Sequence, residues 1–229
     1  MEKSKLLVEE RQIVVPGDIL AEGMDYLPEQ GTFREDDKII ASNVGMVSIK
    51  GRLIKLIALN GKYIPRTGDV VIGRITNVAT MNWLVDIGYA YEAGLSLKEA
   101  TSDYIPRGED LTQFYDFGEN IMTKVITVSR AKMIDLTMKG PGLRKLKGGR
   151  IIGITPSKVP RIIGREGSMV NMIKDATNTQ IIIGQNGKIW IHSDDPLNEL
   201  KAEEAIKFVD NNCHKDGLTE EVKKFLEKK

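Results

Sequence analysis

Two glycines with two residues between them, Gly164 and Gly167, lie between a short apolar stretch and a longer one. Glycines at these positions permit a tight turn and let a sugar–phosphate backbone approach without a Cβ atom in the way. The N–H groups at the start of the helix expected after the loop favour phosphate. Arg161 and Arg165 could neutralise that phosphate, whereas the carboxylate of Glu166 would repel it. The spacing therefore indicates a loop that binds a nucleic-acid backbone, with a simple helix–helix turn as the alternative.

Further candidate residues surround this glycine loop. Ile162 and Ile163, with a strand residue near Ile181, are expected to form the apolar wall of a groove. Lys158 adds a positive charge, and Ser168 could cap the second helix or donate to phosphate. Together they predict a site for single-stranded nucleic acid.

The elements that must position this loop follow the order β-α-α-β-β-α. They are expected at Arg150–Ile154, Val159–Ile163, Ser168–Ala176, Gln180–Ile183, Lys188–His192 and Pro196–Asn211, followed by a last helix at Thr219–Lys229 that Thr219 could cap. Asn186-Gly187 is a strong hairpin signal between the last two strands. This arrangement resembles a KH domain, which implies that the loop clamps about four nucleotides.

Five strands are expected ahead of this module. They are Val70–Val78, Trp83–Ile87, Tyr91–Leu97, Asn120–Val128 and Ile134–Lys139. The gap between the third and the fourth contains Pro106-Arg107-Gly108 and can fit a short helix. Such a set suits a closed barrel of OB type, and Val85-Asp86-Ile87-Gly88 and Asp135-Leu136 resemble the S-one-type OB-fold.

The candidate contacts of this barrel lie in two of its loops. Met81, Asn82 and Trp83 belong to the loop between the first two strands, and Arg130 and Lys132 to the loop between the last two. We expect the Trp83 ring to lie in the core. Residues 68–138 hold six basic and ten acidic side chains, a net charge of −4. The barrel is therefore expected to bind RNA through a few local cations, without strong stacking.

A basic stretch joins the two modules. Residues 139–165 contain eight basic side chains and no acidic one. A surface of one sign over this length suggests a polyanion partner, although a linker kept soluble by charge would look similar. Arg144, Lys145 and Lys147 are the candidate RNA contacts of this expected linker.

The first 64 residues predict an all-β domain. Short β-type runs occur at Ile13–Val15, Lys38–Ile40, Gly45–Ile49 and Arg52–Ile57, separated by glycine or polar breaks. The chain is thus expected to be multidomain, with a β-rich domain at 1–64, an OB-fold barrel at 65–140, an α+β KH domain at 147–213 and a C-terminal helix at 214–229.

Composition limits the other possibilities. Cys213 is the only cysteine and His192 and His214 are the only histidines, so neither a disulfide nor a conventional zinc site is expected. No apolar run reaches the roughly 18 residues of a membrane helix, and the charged start is unlike a signal peptide. We expect a cytoplasmic protein without metal, cofactor or membrane contact. The acidic pairs Asp36-Asp37, Glu109-Asp110 and Asp194-Asp195 are expected in turns, so no catalytic residue is assigned.

The domain order resembles the RNA-binding cap subunits of the archaeal exosome. The resemblance rests on Val14–Gly23, Trp83–Ile87, Val159–Gly164, Asn186–Trp190 and Gly217–Thr219, and spans nearly the whole chain. It implies three copies on a hexameric ring of RNase PH-like subunits, with the N-terminal domain docked on the ring. It also implies that single-stranded RNA is captured for degradation elsewhere. A nuclease, a free-standing transcription or translation factor and a protein-binding adaptor are the alternatives.

Overall fold

The computed structural model describes residues 4–59, 61–103, 106, 108–213 and 217–227. The chain forms two compact units, Met1–Gly61 and Lys62–Lys229. The expected multidomain architecture is confirmed, because an all-β unit precedes a barrel and an α+β module of KH type. Among the described residues, no helix is long and apolar enough to span a membrane.

The first unit consists of two four-stranded sheets around one apolar core. Its strands are β1 (Lys5–Leu6), β2 (Ile13–Val14), β3 (Ile19–Glu22), β4 (Leu27–Pro28), β5 (Thr32–Glu35), β6 (Lys38–Ala41), β7 (Gly45–Lys50) and β8 (Leu53–Ala58). The sheets have the orders β1-β3-β6-β5 and β2-β7-β8-β4. The four expected β-type runs all fall on strands, and the strands that sequence did not reveal have only two to four residues.

The second unit begins with a closed five-stranded barrel. Its elements are β9 (Val70–Val78), β10 (Asn82–Asp86), β11 (Ala93–Ser96), α1 (Leu97–Ala100), β12 (Asn120–Val128) and β13 (Ile134–Thr137). The barrel closes because β12 pairs with both β9 and β13. The five expected strands and the short helix are confirmed; within the expected break, Arg107 lies outside the described residues.

A sixth strand, β14 (Arg144–Leu146), corrects the expectation of a free basic linker. The second half of β12 pairs with β13, which leaves the first half of the same edge open. Strand β14 fills that edge, with Arg144 opposite Met122 and Leu146 opposite Asn120. Leu146 is buried, so at least these three residues belong to the folded barrel.

The KH module follows at once. Its elements are β15 (Arg150–Gly153), α2 (Val159–Ile163), α3 (Ser168–Thr177), β16 (Gln180–Ile183), β17 (Lys188–His192), α4 (Pro196–Asn212) and α5 (Leu218–Glu227). The antiparallel sheet has the order β15-β17-β16, and the helices share one core with its inner face. Helix α5 begins at Leu218, so Thr219 lies in its first turn and does not cap it. His214 and residues 228–229 of the expected last helix lie outside the described residues.

The outer face of the KH sheet packs on the barrel. Trp190 forms a small apolar cluster with Ile72 and Leu146, against which Ile151 and Ile182 pack. The KH sheet therefore has the barrel on one face and its own helices on the other.

Polar contacts from the β16–β17 hairpin complete this junction. The buried Asn186 side chain donates from Nδ2 to the backbone oxygens of Ile72 and Ile87, at 2.8 Å each. Lys188 Nζ lies 3.1 Å from Asp86 Oδ2. Burial acts to raise the pKa of Asp86, but the Gly88 N–H and Lys188 outweigh it and hold that pKa below its ordinary value.

Candidate nucleic-acid interface

The glycine loop joins α2 to α3 in a conformation that needs its glycines. Gly164 has a φ of +76°, and a Cβ atom there would lie 2.7 Å from the Met169 nitrogen. Glu166 and Gly167 also have positive φ, at 53° and 81°. Because α3 begins at Ser168 with Gly167 as its N-cap, the expected cap role of Ser168 is wrong. Donation from Ser168 to phosphate stays a prediction.

The charged side chains around the loop differ in their surroundings. Arg161, Arg165 and Glu166 are exposed, as is Ser168. Lys158, in contrast, is half-buried, and its Nζ donates to the Asp210 backbone oxygen at 2.9 Å and lies 3.2 Å from Asp210 Oδ1. Lys158 therefore ties the start of α2 to the end of α4, whereas Arg161 and Arg165 are exposed beside the loop.

The expected apolar wall requires a correction. Ile162 is 0% exposed and Ile181 is 4% exposed, and both belong to the core shared by the helices and the sheet. Ile162 follows Val159 by three residues on the helix, so both face inward. Ile163 keeps partial exposure, and so do Ile182 and Ile183, the strand residues next to Ile181. A wall formed by these residues stays a prediction.

The first barrel loop also loses a candidate. Trp83 is 0% exposed; its Nε1 donates to the Tyr115 backbone oxygen at 2.8 Å, and the two rings meet edge to face with centroids 5.4 Å apart. The expected core position of Trp83 is confirmed, so its side chain cannot contact RNA in this structure. Met81 is exposed and Asn82 is half-buried.

The two candidate barrel loops lie at opposite ends of the barrel. Asn82 pairs with Ser96 at one end of β10, whereas Val85 pairs with Ala93 near the other. Strands β11 and β13 are parallel, with Gly94 opposite Asp135, so the exposed Arg130 and Lys132 ahead of β13 lie at the second end. Four residues of strand, roughly 13 Å, separate these ends. Met81 and Arg130 therefore cannot contact the same nucleotide, and contacts of both loops with one longer strand stay a prediction.

The basic residues of β14 and the segment after it differ in how far their charge is already paired within the protein. Lys145 Nζ lies 2.6 Å from Glu119 Oε2 and 5.3 Å from the centre of the Tyr115 ring. Burial acts to raise the pKa of Glu119, but Lys145, the Asp116 N–H and Lys147 together outweigh it and hold that pKa below its ordinary value. Much of the Lys145 charge is thus compensated internally. Arg144 and Lys147 are exposed and remain candidates.

Sequence reasoning missed two features of this unit. Tyr91, in the loop between β10 and β11, is 58% exposed beside Tyr89. The two tyrosines separated by one residue directly after Gly88 are the sequence signal that could have indicated this exposed ring. Asn186 was used only as a hairpin signal, yet it joins the KH module to the barrel. In the described part of the chain, no three His, Cys, Asp or Glu side chains group so as to hold a metal ion.

The first unit carries a separate candidate surface. Ile13 pairs with Met46, and Met46 with Ile57, so these side chains form one row on the side of the sheet away from the core. Leu27 and Leu53 pair on the same side. Four of these five are exposed and Met46 is half-buried. We call Ile13, Leu27, Met46, Leu53 and Ile57 the apolar face; Ser48 and Lys55 lie among them.

A barrel of OB type joined to a KH module defines a class of multidomain RNA-binding proteins. Three family models match this chain: "Exosome RNA binding protein RRP4 N-terminal domain" at residues 11–60, "RRP4, S1 domain" at 62–109 and "KH domain" at 149–197. The chain belongs to the family of Rrp4 components of the exosome.

Relatives match along nearly the whole chain. Exosome complex component Rrp4 of Methanothermus fervidus is 45% identical over 222 residues, which cover 96% of this chain and 97% of the relative. The protein of that description from Pyrococcus horikoshii is 46% identical over 225 residues, covering 97% and 84%. A crystal structure whose description concerns an exosome complex RNA-binding protein superposes with a TM-score of 0.67 and 36% identity, covering 73% of this chain and 97% of that one.

Proposed function

We propose that this chain captures single-stranded RNA and feeds it into the pore of an RNase PH-like hexameric ring. In this proposal three copies sit on each ring, in the cytoplasm. The chain itself is non-catalytic, and the ring subunits carry out the 3′-to-5′ degradation. Membership of the Rrp4 family supports the role in an exosome, and the KH and barrel modules support the role in RNA binding.

The observation that carries the RNA-binding part is the glycine loop. Its two glycines hold a backbone conformation that other residues adopt poorly, directly before the first turn of α3. Helix N-termini favour anions, and exposed Arg161 and Arg165 flank the loop. The ligand this combination suits is the phosphate backbone of a single strand.

The apolar face supports the docking part. We propose that residues 1–64 bind the ring through this surface, while the barrel (65–140) and the KH domain (147–213) hold RNA. Exposed apolar side chains grouped on one face of a small sheet, here with the polar pair Ser48 and Lys55 among them, are typical of a protein-binding site. A free-standing RNA-binding transcription or translation factor, the second hypothesis, gives no role to this surface.

Reconstitution tests the proposal. Ring subunits of the same organism, with and without this chain, are mixed with a labelled single-stranded RNA and phosphate. We expect the chain to co-purify with the ring, to lower the RNA concentration needed for half-maximal degradation, and to degrade nothing alone with Mg²⁺ or Mn²⁺. Failure to join the ring would favour the free-standing factor, and cleavage by the chain alone would make it a nuclease.

A further inference from the structure

Two tyrosines lie in the loop between β10 and β11. Tyr89 packs against the barrel core, and its ring centroid lies 6.0 Å from that of Tyr91 at an interplanar angle of 59°. Tyr91 itself is 58% exposed. An exposed aromatic ring next to an anchored one is held in place before any ligand arrives, so that binding costs it little side-chain entropy.

The tyrosine loop shares its end of the barrel with two cations. It leads directly into β11, and the loop with Arg130 and Lys132 leads directly into β13. Because β11 and β13 run parallel, with Gly94 opposite Asp135, both loops lie at the same end. A stacking surface close to local cations is the arrangement by which single-stranded nucleic acid is bound without sequence preference.

The same loop also adjoins the KH module. At its base, the Gly88 N–H donates to Asp86 Oδ1 at 2.7 Å, and Asp86 pairs with Lys188. Lys188 follows the turn between β16 and β17. Within that turn, the Gly187 backbone oxygen accepts a hydrogen bond from the Ile154 N–H at 2.8 Å. Ile154 begins the segment that leads to α2 and the glycine loop. The base of the tyrosine loop therefore adjoins the KH module.

Charge alone is a poor explanation for binding at this end. Glu92 and Asp135 are exposed beside Arg130 and Lys132, and residues 68–138 carry a net charge of −4. Stacking does not depend on this balance, because every base has a π-face. We propose that Tyr91, supported by Tyr89, is a stacking platform for an unpaired base of an RNA strand that runs between the KH loop and the barrel cations. This inference rests on the proposed function.

Binding of a fluorescein-labelled single-stranded RNA to the full chain tests the platform. Tyr91→Ala should weaken the affinity about fivefold or more, and Tyr91→Phe should restore it, because the ring does the stacking. The slope of log affinity against log salt should not change, since no charge is removed. Phe117→Ala is the matched control: Phe117 is also exposed, but it lies in the segment before β12, and β9 separates β12 from β10 in the sheet. It should leave the affinity unchanged.

A second strand lacking bases separates stacking from other effects. An RNA with abasic nucleotides throughout should bind wild type and Tyr91→Ala equally. A loss in Tyr91→Ala that persists on abasic RNA, or a loss equal to that of Phe117→Ala, would overturn the platform. If wild type and Tyr91→Ala bind RNA equally well, only the proposed stacking platform is wrong. If wild type binds no RNA, the proposed function is wrong. Circular dichroism of each variant confirms that the fold is retained.

Discussion

The glycine loop combines two positive side chains with one negative one, and the two signs predict opposite effects. Replacing Arg161 and Arg165 together by glutamine should flatten the slope of log affinity against log salt by about one unit or more, because each phosphate contact contributes about 0.7 for a single strand. Fluorescence titrations of single-stranded RNA at several salt concentrations measure this slope. The control is the double variant Lys50→Gln, Arg52→Gln in the hairpin turn of the first unit. It also removes two positive charges, but far from the glycine loop in sequence, and it should not change the slope. An unchanged slope in the arginine variant would remove the KH loop from the account of binding.

Glu166 should weaken the same contact. Its exposed carboxylate lies inside the loop, so a phosphate there meets a like charge at short range. Glu166→Gln should raise the affinity for single-stranded RNA about two- to fivefold at low salt, and the gain should shrink as salt screens the charge. Titrations at two ionic strengths measure it, with Glu221→Gln on the exposed side of α5 as the control. Equal gains in both variants would mean that only net charge matters.

At the residue level, sequence predicted loops better than it predicted which side chains reach solvent. The spacing of Gly164 and Gly167 was sufficient for the turn, because the backbone conformation itself demands glycine. Ile162 and Ile163 are adjacent and chemically alike, yet only tertiary packing decides that Ile162 enters the core. A five-residue helix is too short for its periodicity to reveal the buried face.

The β16–β17 hairpin serves as the polar joint between the KH module and the barrel. Asn186 is buried, and its side chain satisfies backbone groups of two barrel residues. Asn186→Ala should lower the unfolding free energy of the second unit by about 2 kcal/mol or more, because it leaves buried carbonyl groups without a donor. Thermal denaturation followed by circular dichroism measures the loss.

Two further variants make the Asn186 result specific. Asn186→Asp keeps the size but turns an acceptor toward the oxygens of Ile72 and Ile87, so it should be at least as destabilising. Asn171→Ala, on the exposed surface of α3, should shift the midpoint very little. If the Asn186 and Asn171 variants melted alike, the hairpin would not be a structural joint.

Elements whose apolar residues follow an alternating or helical pattern could be predicted from the sequence. Elements that form only by pairing with another strand could not. Strands β9 and β12 have nine residues each and match the sequence prediction in full. Strand β14 has three residues, two of them basic, between glycine-rich turns. Nothing local marks it as a strand, because its stability comes from the open edge of β12. The β-bulge between Leu84 and Val85 is likewise a property of pairing.

At the scale of the whole molecule, the two units present different surfaces. The second unit presents the exposed arginines of the glycine loop, while the first presents the apolar face. Residues 139–229 carry seventeen basic and twelve acidic side chains, a net charge of +5, whereas residues 68–138 carry −4. A polyanion is therefore attracted mainly to the C-terminal part, and our proposal assigns the apolar face to a protein partner.

Ile57, in the row of the apolar face that also contains Ile13 and Met46, gives the sharpest test of this division. Ile57→Glu should weaken association with the ring tenfold or more, because burying a carboxylate without a partner in an apolar contact is costly. It should leave RNA affinity of the isolated chain unchanged. Leu197→Glu is the matched control, since Leu197 is an exposed leucine on α4 of the KH module. Ring binding measured by co-purification and by interferometry should separate the two variants. If Ile57→Glu bound the ring as well as Leu197→Glu did, docking would have to use another surface, and the apolar face would lose its assigned role.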